Sequence, residues 1–86
     1  MDINQLNKIV KKKIQNKINC DYLSIEDKTY LHENHKSHVN GKFHLKLIIE
    51  SKDLKKLNKI QSNKLIYKIL DEEIKYYIHS IQLDIN

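Results

Sequence analysis

The sequence predicts a single α+β domain in which a helix is followed by two strands, two helices and a third strand. Three observations support this: apolar residues recur at helical spacing in two long segments, they alternate with polar residues in three other runs, and the one glycine lies between the first two of those runs. Two helices between the second and third strands allow a right-handed crossover that makes these strands parallel. We therefore expect residues 1–86 to form one unit, a mixed three-stranded sheet with helices on one face.

The predicted helices are marked by apolar faces and by capping residues at their starts. Asp2 stands where it can cap the first helix, and lysines crowd the end of that helix, where the helix dipole favours positive charge. Ser51 is a cap candidate for a short helical turn, and a longer helix is expected over residues 59–76. The apolar faces of the two main helices carry Ile3, Leu6, Ile9, Val10, Ile14 and Ile18, then Leu65, Ile66, Ile69, Leu70 and Ile74.

Alternation of apolar and polar residues predicts strands over residues 22–30, 43–50 and 78–85. The first two are joined by a polar loop that contains Asn40-Gly41, a strong turn signal. In the second strand, His44 has the opposite parity from the apolar residues, which predicts a solvated or loop-bracing role. In the third strand, His79 shares the parity of the apolar residues at 81, 83 and 85. It is therefore either a core histidine or an accessible one, because it lies at the head of the strand and so at the rim of the sheet.

Charge and composition limit the classes of function. The formal net charge is +5, and all 16 basic residues are lysines, in a chain also rich in Ile and Asn. This bias is typical of an AT-rich genome. Lysine cannot make the planar two-pronged contacts to guanine or phosphate that arginine makes, so the charge predicts at most a non-specific affinity for phosphate.

The single cysteine and the lengths of the apolar runs bear on location. Cys20 excludes an internal disulfide and paired-cysteine metal motifs, and it is interpreted as a partly buried small side chain. A reducing compartment, the cytoplasm, is the expectation. No apolar run is long enough to span a membrane, and the lysine-rich residues 8–17 are interpreted as mature structure.

Five histidines are the strongest functional signal in the chain. Four lie between His32 and His44, and the fifth is His79. Imidazole is the commonest ligand for transition metals and titrates near neutral pH, so this pattern predicts a metal or proton site, with a merely solvated loop as the alternative. An enzyme is not expected, because no nucleophile has a convincing base and Glu72 and Glu73 diverge on a helix.

The joint spacing of several segments resembles the BolA family. His32-Glu-Asn-His35 is similar to the paired-histidine form of the family's variable loop. The segment from His44 to Ser51 resembles the family's second strand, and His79 stands where the family has its characteristic histidine at the head of the last strand. The resemblance covers about residues 20–83.

This resemblance implies a non-enzymatic adaptor of iron–sulfur metabolism that pairs with a monothiol glutaredoxin and shares a bridging two-iron two-sulfur cluster with it. The glutaredoxin and glutathione supply thiolates in that arrangement, and this chain supplies His79 and one loop histidine. His32 and His35 are the loop candidates, and His38 is a weaker third. Imidazole in place of thiolate raises the reduction potential of a cluster. Without its partner the chain is expected to be a monomer or a weak homodimer.

The main alternative is a nucleic-acid-binding transcriptional regulator, because some BolA proteins have this role and the element order resembles the type II KH arrangement. Its phosphate-facing surface would use the lysines of the second and third helices, namely Lys55, Lys56, Lys59, Lys64 and Lys68. The chain lacks the Gly-x-x-Gly loop of KH domains, and Ser62-Asn63-Lys64 takes the place of the family's usual arginine-histidine-arginine, so DNA binding is expected to be weak. A zinc or copper site made by the histidine loop alone is a third possibility.

Overall fold

The computed structural model describes residues 1–29 and 42–86. The elements are α1 (Ile3–Lys17), β1 (Tyr22–Asp27), β2 (Phe43–Glu50), α2 (Lys52–Lys55), α3 (Lys59–Ile69), α4 (Asp71–Tyr76) and β3 (Ile78–Ile85). The predicted α+β class is confirmed. His32, His35, His38 and the predicted Asn40-Gly41 turn lie outside the described residues.

The three strands form one mixed sheet in the order β1-β2-β3. β1 pairs with β2 in antiparallel fashion, and β2 pairs with β3 in parallel, as the crossover predicted. The core lies between the helices and the sheet face that carries the apolar residues of β2. Its fully buried members include Leu6, Val10, Ile14, Leu47, Ile49, Ile66 and Leu70.

Side-chain caps fix the starts of the helices. The Asp2 carboxylate accepts a hydrogen bond from the Gln5 amide at 2.8 Å, and the Gln5 side chain accepts one from Asp2 in return. Ser51 caps α2 by accepting from the Leu54 amide at 3.3 Å. The Ser51 hydroxyl also donates to the Asn19 carbonyl at 2.8 Å, which ties the start of α2 to the segment before β1.

The predicted helix over residues 59–76 is divided in two, so that part of the prediction is wrong. Leu70 has φ −101° and ψ 20°, outside the helical range, and its amide is shared between the carbonyls of Ile66 and Lys68. Tertiary packing overrides the periodic pattern here, because Leu70 is fully buried and Glu73, just after the break, is buried beside Lys13 of α1. The described residues therefore form four helices.

β1 is shorter than the alternation predicted, since it ends at Asp27 and not at residue 30. The amide of Thr29 donates to the Asp27 carboxylate at 3.0 Å, and the Thr29 hydroxyl donates to the same oxygen. An aspartate that bonds two residues ahead turns the backbone and ends the extended conformation.

Within the described parts of the chain, no helix combines the length and the apolar character that crossing a membrane requires.

Candidate functional site

The parallel pairing of β2 with β3 is irregular at its start, and this irregularity places His79. Phe43 pairs with Ile78, but His44 pairs with Ser80, so His79 is an extra residue in β3. The extra residue breaks the simple parity of the strand. Ile78 is 2 % exposed and takes the core position, whereas His79 is exposed to solvent. The interpretation of His79 as a core histidine is therefore wrong, and the alternative prediction, an accessible histidine at the rim of the sheet, is confirmed.

His44 lies directly behind this exposed ring. Its Nδ1 is 2.7 Å from the Ser80 hydroxyl oxygen, and its ring meets the His79 ring edge to face, with centroids 4.8 Å apart and planes at 70°. Only 4 % of His44 is exposed, so the prediction that it is solvated is wrong. Parity assigned its face of the sheet correctly, but the register with β3 supplies the neighbours that bury it.

The backbone of His44 is held from the other side by the end of β1. Its amide donates to the Thr29 hydroxyl at 3.1 Å, and its carbonyl accepts from the Lys28 amide at 2.7 Å. Because the Thr29 hydroxyl is also bonded to Asp27, the turn that ends β1 fixes the start of β2. His44, His79 and Ser80 are called the histidine corner below.

The chemistry of the histidine corner suits a metal-bearing ligand that brings most of its own donors. The described residues contain no group of three or more histidine, cysteine or carboxylate side chains placed to hold a metal ion. His79 offers one exposed imidazole at the rim of the sheet, and a neutral imidazole nitrogen is an accepted ligand of iron in mixed-ligand clusters. The residues present therefore fit co-ligation of a cluster shared with another molecule, with His79 as the donor in the described part of the chain.

The loop that carries His32 and His35 lies outside the described residues, so their role stays a prediction. The geometric premise behind it is confirmed. β3 runs parallel to β2, and its first residue pairs with Phe43, the first residue of β2. His79 and the end of the loop segment at Lys42 are therefore at the same rim, where the amide of Phe43 donates to the Tyr77 carbonyl at 2.9 Å.

The lysines proposed for nucleic-acid binding are all exposed, and three of them line two separate grooves. Lys55 and Lys59 line a groove of about 400 Å³ that also contains Asp84, at the end of β3. Lys68 lines a different groove of about 520 Å³ together with Lys13 and Lys17 of α1. The surface formed by Lys55, Lys56, Lys59, Lys64 and Lys68 is called the lysine face below.

Cys20 takes the structural role that the sequence predicted. Cys20 is half-buried, and its thiol donates to the Ile18 carbonyl at 3.6 Å. Burial, together with the negative charges of Asp21 and Asp53, raises the pKa of the Cys20 thiol. Tyr77 packs against the core, whereas Tyr76 is 55 % exposed.

Two arrangements were missed at the level of sequence. One is the contact between His44 and Ser80, which depends on a register that parity alone does not give. The other is the buried Glu73, whose carboxylate accepts a hydrogen bond from the Lys13 ammonium at 2.6 Å. The spacing of 60 residues between these two partners leaves no local signal.

Fold and site together define a small α+β domain that presents an accessible histidine at the start of its parallel edge strand. The family model described as BolA-like protein matches residues 14–86. The chain therefore belongs to the BolA family, as its motifs predicted.

Relatives and solved structures agree with this assignment. The chain is 33 % identical over 78 residues to the DNA-binding transcriptional regulator BolA of Haemophilus influenzae, with 91 % of this chain and 73 % of the relative covered. The BolA domain of SufE1 from Arabidopsis thaliana superimposes with a TM-score of 0.79 at 21 % identity, covering 100 % of this chain and 93 % of that domain. BolA1 from Arabidopsis thaliana superimposes with a TM-score of 0.78 at 26 % identity, covering 92 % of this chain and 87 % of that chain.

Proposed function

We propose that the protein is a non-enzymatic adaptor that co-ligates a bridging two-iron two-sulfur cluster with a monothiol glutaredoxin. The single observation that carries the proposal is the exposed His79 imidazole, set at the rim by the irregular pairing of β3 and backed by the buried His44. The partner and glutathione supply the thiolates, and a loop histidine, His32 or His35, supplies the second imidazole.

Each part of the chain has a defined task in this proposal. The sheet holds His79 at a rim that a second protein can reach, and the loop histidine comes from the segment that enters β2 beside it. The bound cluster supplies iron sites that accept imidazole nitrogen as well as thiolate sulfur. A ligand set completed by two proteins leaves the cluster transferable, which suits a carrier. The single half-buried cysteine fits a reducing compartment, the cytoplasm, and the chain alone is proposed to be a monomer or a weak homodimer.

The test is to mix the protein with a cluster-loaded monothiol glutaredoxin and to record visible circular dichroism across a size-exclusion peak. A one-to-one complex with a new spectrum supports the proposal. If no complex forms and the spectrum of the glutaredoxin is unchanged, the proposal is refuted. His79→Ala should alter the spectrum while far-UV circular dichroism stays the same. Gln82→Ala, an exposed change in the same strand, is the matched control.

The loop ligand is identified by the same measurement. His32→Ala and His35→Ala are compared one at a time, and the ligand is the residue whose loss reproduces the spectral change of His79→Ala. An unaltered spectrum and unaltered cluster stability in His79→Ala would reassign His79 to a structural role.

A second candidate function is transcriptional regulation through DNA, favoured by the 33 % identity to the DNA-binding transcriptional regulator BolA of Haemophilus influenzae. The lysine face is the surface that would contact phosphates. Selection from a random duplex library tests it, because a regulator recovers one preferred sequence and a merely basic protein recovers none. The control is the same selection with all five lysines of the lysine face replaced by glutamine.

A further inference from the structure

We propose that His44 is a positioning residue that holds the His79 imidazole in the orientation in which it meets the cluster. This inference rests on the proposed function, because it assumes that His79 is the ligand. It goes beyond that function by assigning a role to a buried histidine and to the Ser80 hydroxyl that bonds to it.

An exposed histidine does not have a fixed ring direction by itself. Its side chain can occupy several staggered rotamers, and ligation must select one of them at an entropic cost. His79 is exposed and lies at an irregular position of the strand. Among the described residues, the ring of His44 packs against the His79 ring edge to face, with centroids 4.8 Å apart, and restricts its direction.

His44 is suited to this role because it is fixed at three points. Its amide and its carbonyl are bonded to Thr29 and Lys28, and its Nδ1 lies 2.7 Å from the Ser80 hydroxyl. Ser80 is the direct neighbour of His79 in β3 and the register partner of His44 in β2. The hydroxyl therefore locks the His44 ring to the same piece of strand that carries His79.

His44 is poorly placed to be the ligand itself. Only 4 % of the residue is exposed, and Nδ1 is engaged by Ser80. His79 is thus the accessible donor, and His44 is the buried group that supports it. Loss of a group that is hydrogen-bonded to the ligand lowers metal affinity by about 10–100-fold in well-studied sites, and here edge-to-face ring packing takes the place of that hydrogen bond.

Two variants remove the hydrogen bond and leave a ring at position 44. Ser80→Ala removes the hydroxyl that meets His44 Nδ1, and His44→Phe removes the nitrogen that Ser80 meets. Gln82→Ala is the control, two residues further along β3. If His44→Phe does not fold, Ser80→Ala still decides the question because its side chain lies at the surface.

The first measurement uses the free protein without a cluster. Three-bond couplings and ring-to-ring nuclear Overhauser effects report the rotamer of His79. We expect one rotamer in the wild type and in Gln82→Ala, and averaged values in Ser80→Ala and His44→Phe. A single unchanged rotamer in both variants would overturn the proposal and leave His44 as ordinary packing.

The second measurement uses the complex with a monothiol glutaredoxin loaded with its two-iron two-sulfur cluster. The rate at which a chelator removes the cluster should rise by up to about tenfold in Ser80→Ala and His44→Phe, and the electron paramagnetic resonance g values should shift when the cluster has been reduced by one electron with dithionite. Binding of the cluster-free glutaredoxin should change less than about twofold, because the contact surface is intact. Unchanged removal rates in both variants, alongside a clear effect of His79→Ala, would refute positioning and keep the adaptor function.

The two proposals fail in different ways. If His79→Ala leaves the cluster spectrum unaltered, the ligand role is wrong, whatever His44 does. If the His79 rotamer still becomes averaged in Ser80→Ala, then His44 orients His79 for some other purpose, and the failure belongs to the proposed function alone.

Discussion

The histidine corner and the lysine face are both accessible surfaces of the same small domain, but they are built in different ways. At the histidine corner, one exposed ring is backed by a buried ring, a hydroxyl and two backbone hydrogen bonds. On the lysine face, all five side chains are exposed, and three of them line two separate grooves, one of which includes the opposite charge of Asp84. A site that must direct one atom needs fixed geometry, whereas a surface that only attracts phosphate needs charge.

The largest expected difference between the two regions is their response to salt. If all five lysines of the lysine face contact phosphates, DNA affinity should fall roughly 500-fold between about 50 and about 200 mM salt. The visible circular dichroism of the cluster in the complex with the monothiol glutaredoxin should stay the same over that salt range, because salt does not screen a coordination bond at His79 as it screens distant charges. Fluorescence anisotropy measures the first quantity.

The control for the salt experiment replaces the five lysines with glutamine, which should reduce the slope of log affinity against log salt by about four to five. Tight binding to one sequence that persists in high salt would contradict the picture of a purely electrostatic lysine face.

Stability provides the next contrast. His44→Ala should lower the free energy of unfolding by about 1–3 kcal/mol, because it removes a buried ring together with its contacts to Ser80 and His79. Lys64→Ala should stay within about 0.5 kcal/mol, since Lys64 is an exposed helix residue. Urea unfolding measures both, and equal effects would mean that the histidine corner is no better packed than the lysine face.

A lysine outside the lysine face sharpens the comparison further. Lys13→Met should cost about 1 kcal/mol, allowing for solvent around Lys13, because it leaves the buried Glu73 carboxylate without the ammonium bonded at 2.6 Å. Lys64→Met is the matched control. A cost for Lys64→Met as large as that for Lys13→Met would show that total charge matters more than pairing.

The same pair predicts a pH dependence with a definite sign. The hydrogen bond to Glu73 raises the pKa of Lys13 above its usual value of 10.5. The stabilisation that comes from the raised pKa of Lys13 is therefore fully present just below pH 10.5 and is lost as the pH rises through the higher folded-state value. The stability gap between the wild type and Lys13→Met should narrow in that alkaline range when both are unfolded with urea.

The smallest expected effect is at Cys20, which lies in neither region and so reports on the fold itself. Because burial raises the pKa of its thiol, alkylation at pH 8 should be slower in the folded protein than in urea, by a factor below about ten. His79→Ala and Lys64→Ala should leave this rate unchanged. Faster alkylation in either variant would show that a surface substitution had loosened the core.

Much of the fold could be predicted, because helices and strands leave local patterns in the sequence. Asp2 and Ser51 cap helices as their positions indicated, and the second and third strands have the predicted bounds. The break at Leu70 could not be predicted, since the apolar spacing continues through it and only packing shows that the helix ends there.

The candidate site was predicted in part. The rim position of His79 followed from its place at the head of a strand that runs parallel to β2. Its exposure did not follow from parity, because one extra residue in β3 shifts the pattern and gives the core position to Ile78. The roles of His32 and His35 as ligands stay predictions.

The sequence by itself determined the fold class, the order of the three strands along the chain, the family and the positions of the histidines. Each of these depends on residue types and on spacings along the chain. Only the tertiary structure decided that His44 is buried against Ser80 and His79, and that Lys13 pairs with Glu73. His44 and Ser80 are 36 positions apart in the sequence, and Lys13 and Glu73 are 60 positions apart. Such contacts depend on strand register and helix packing, which no local pattern encodes.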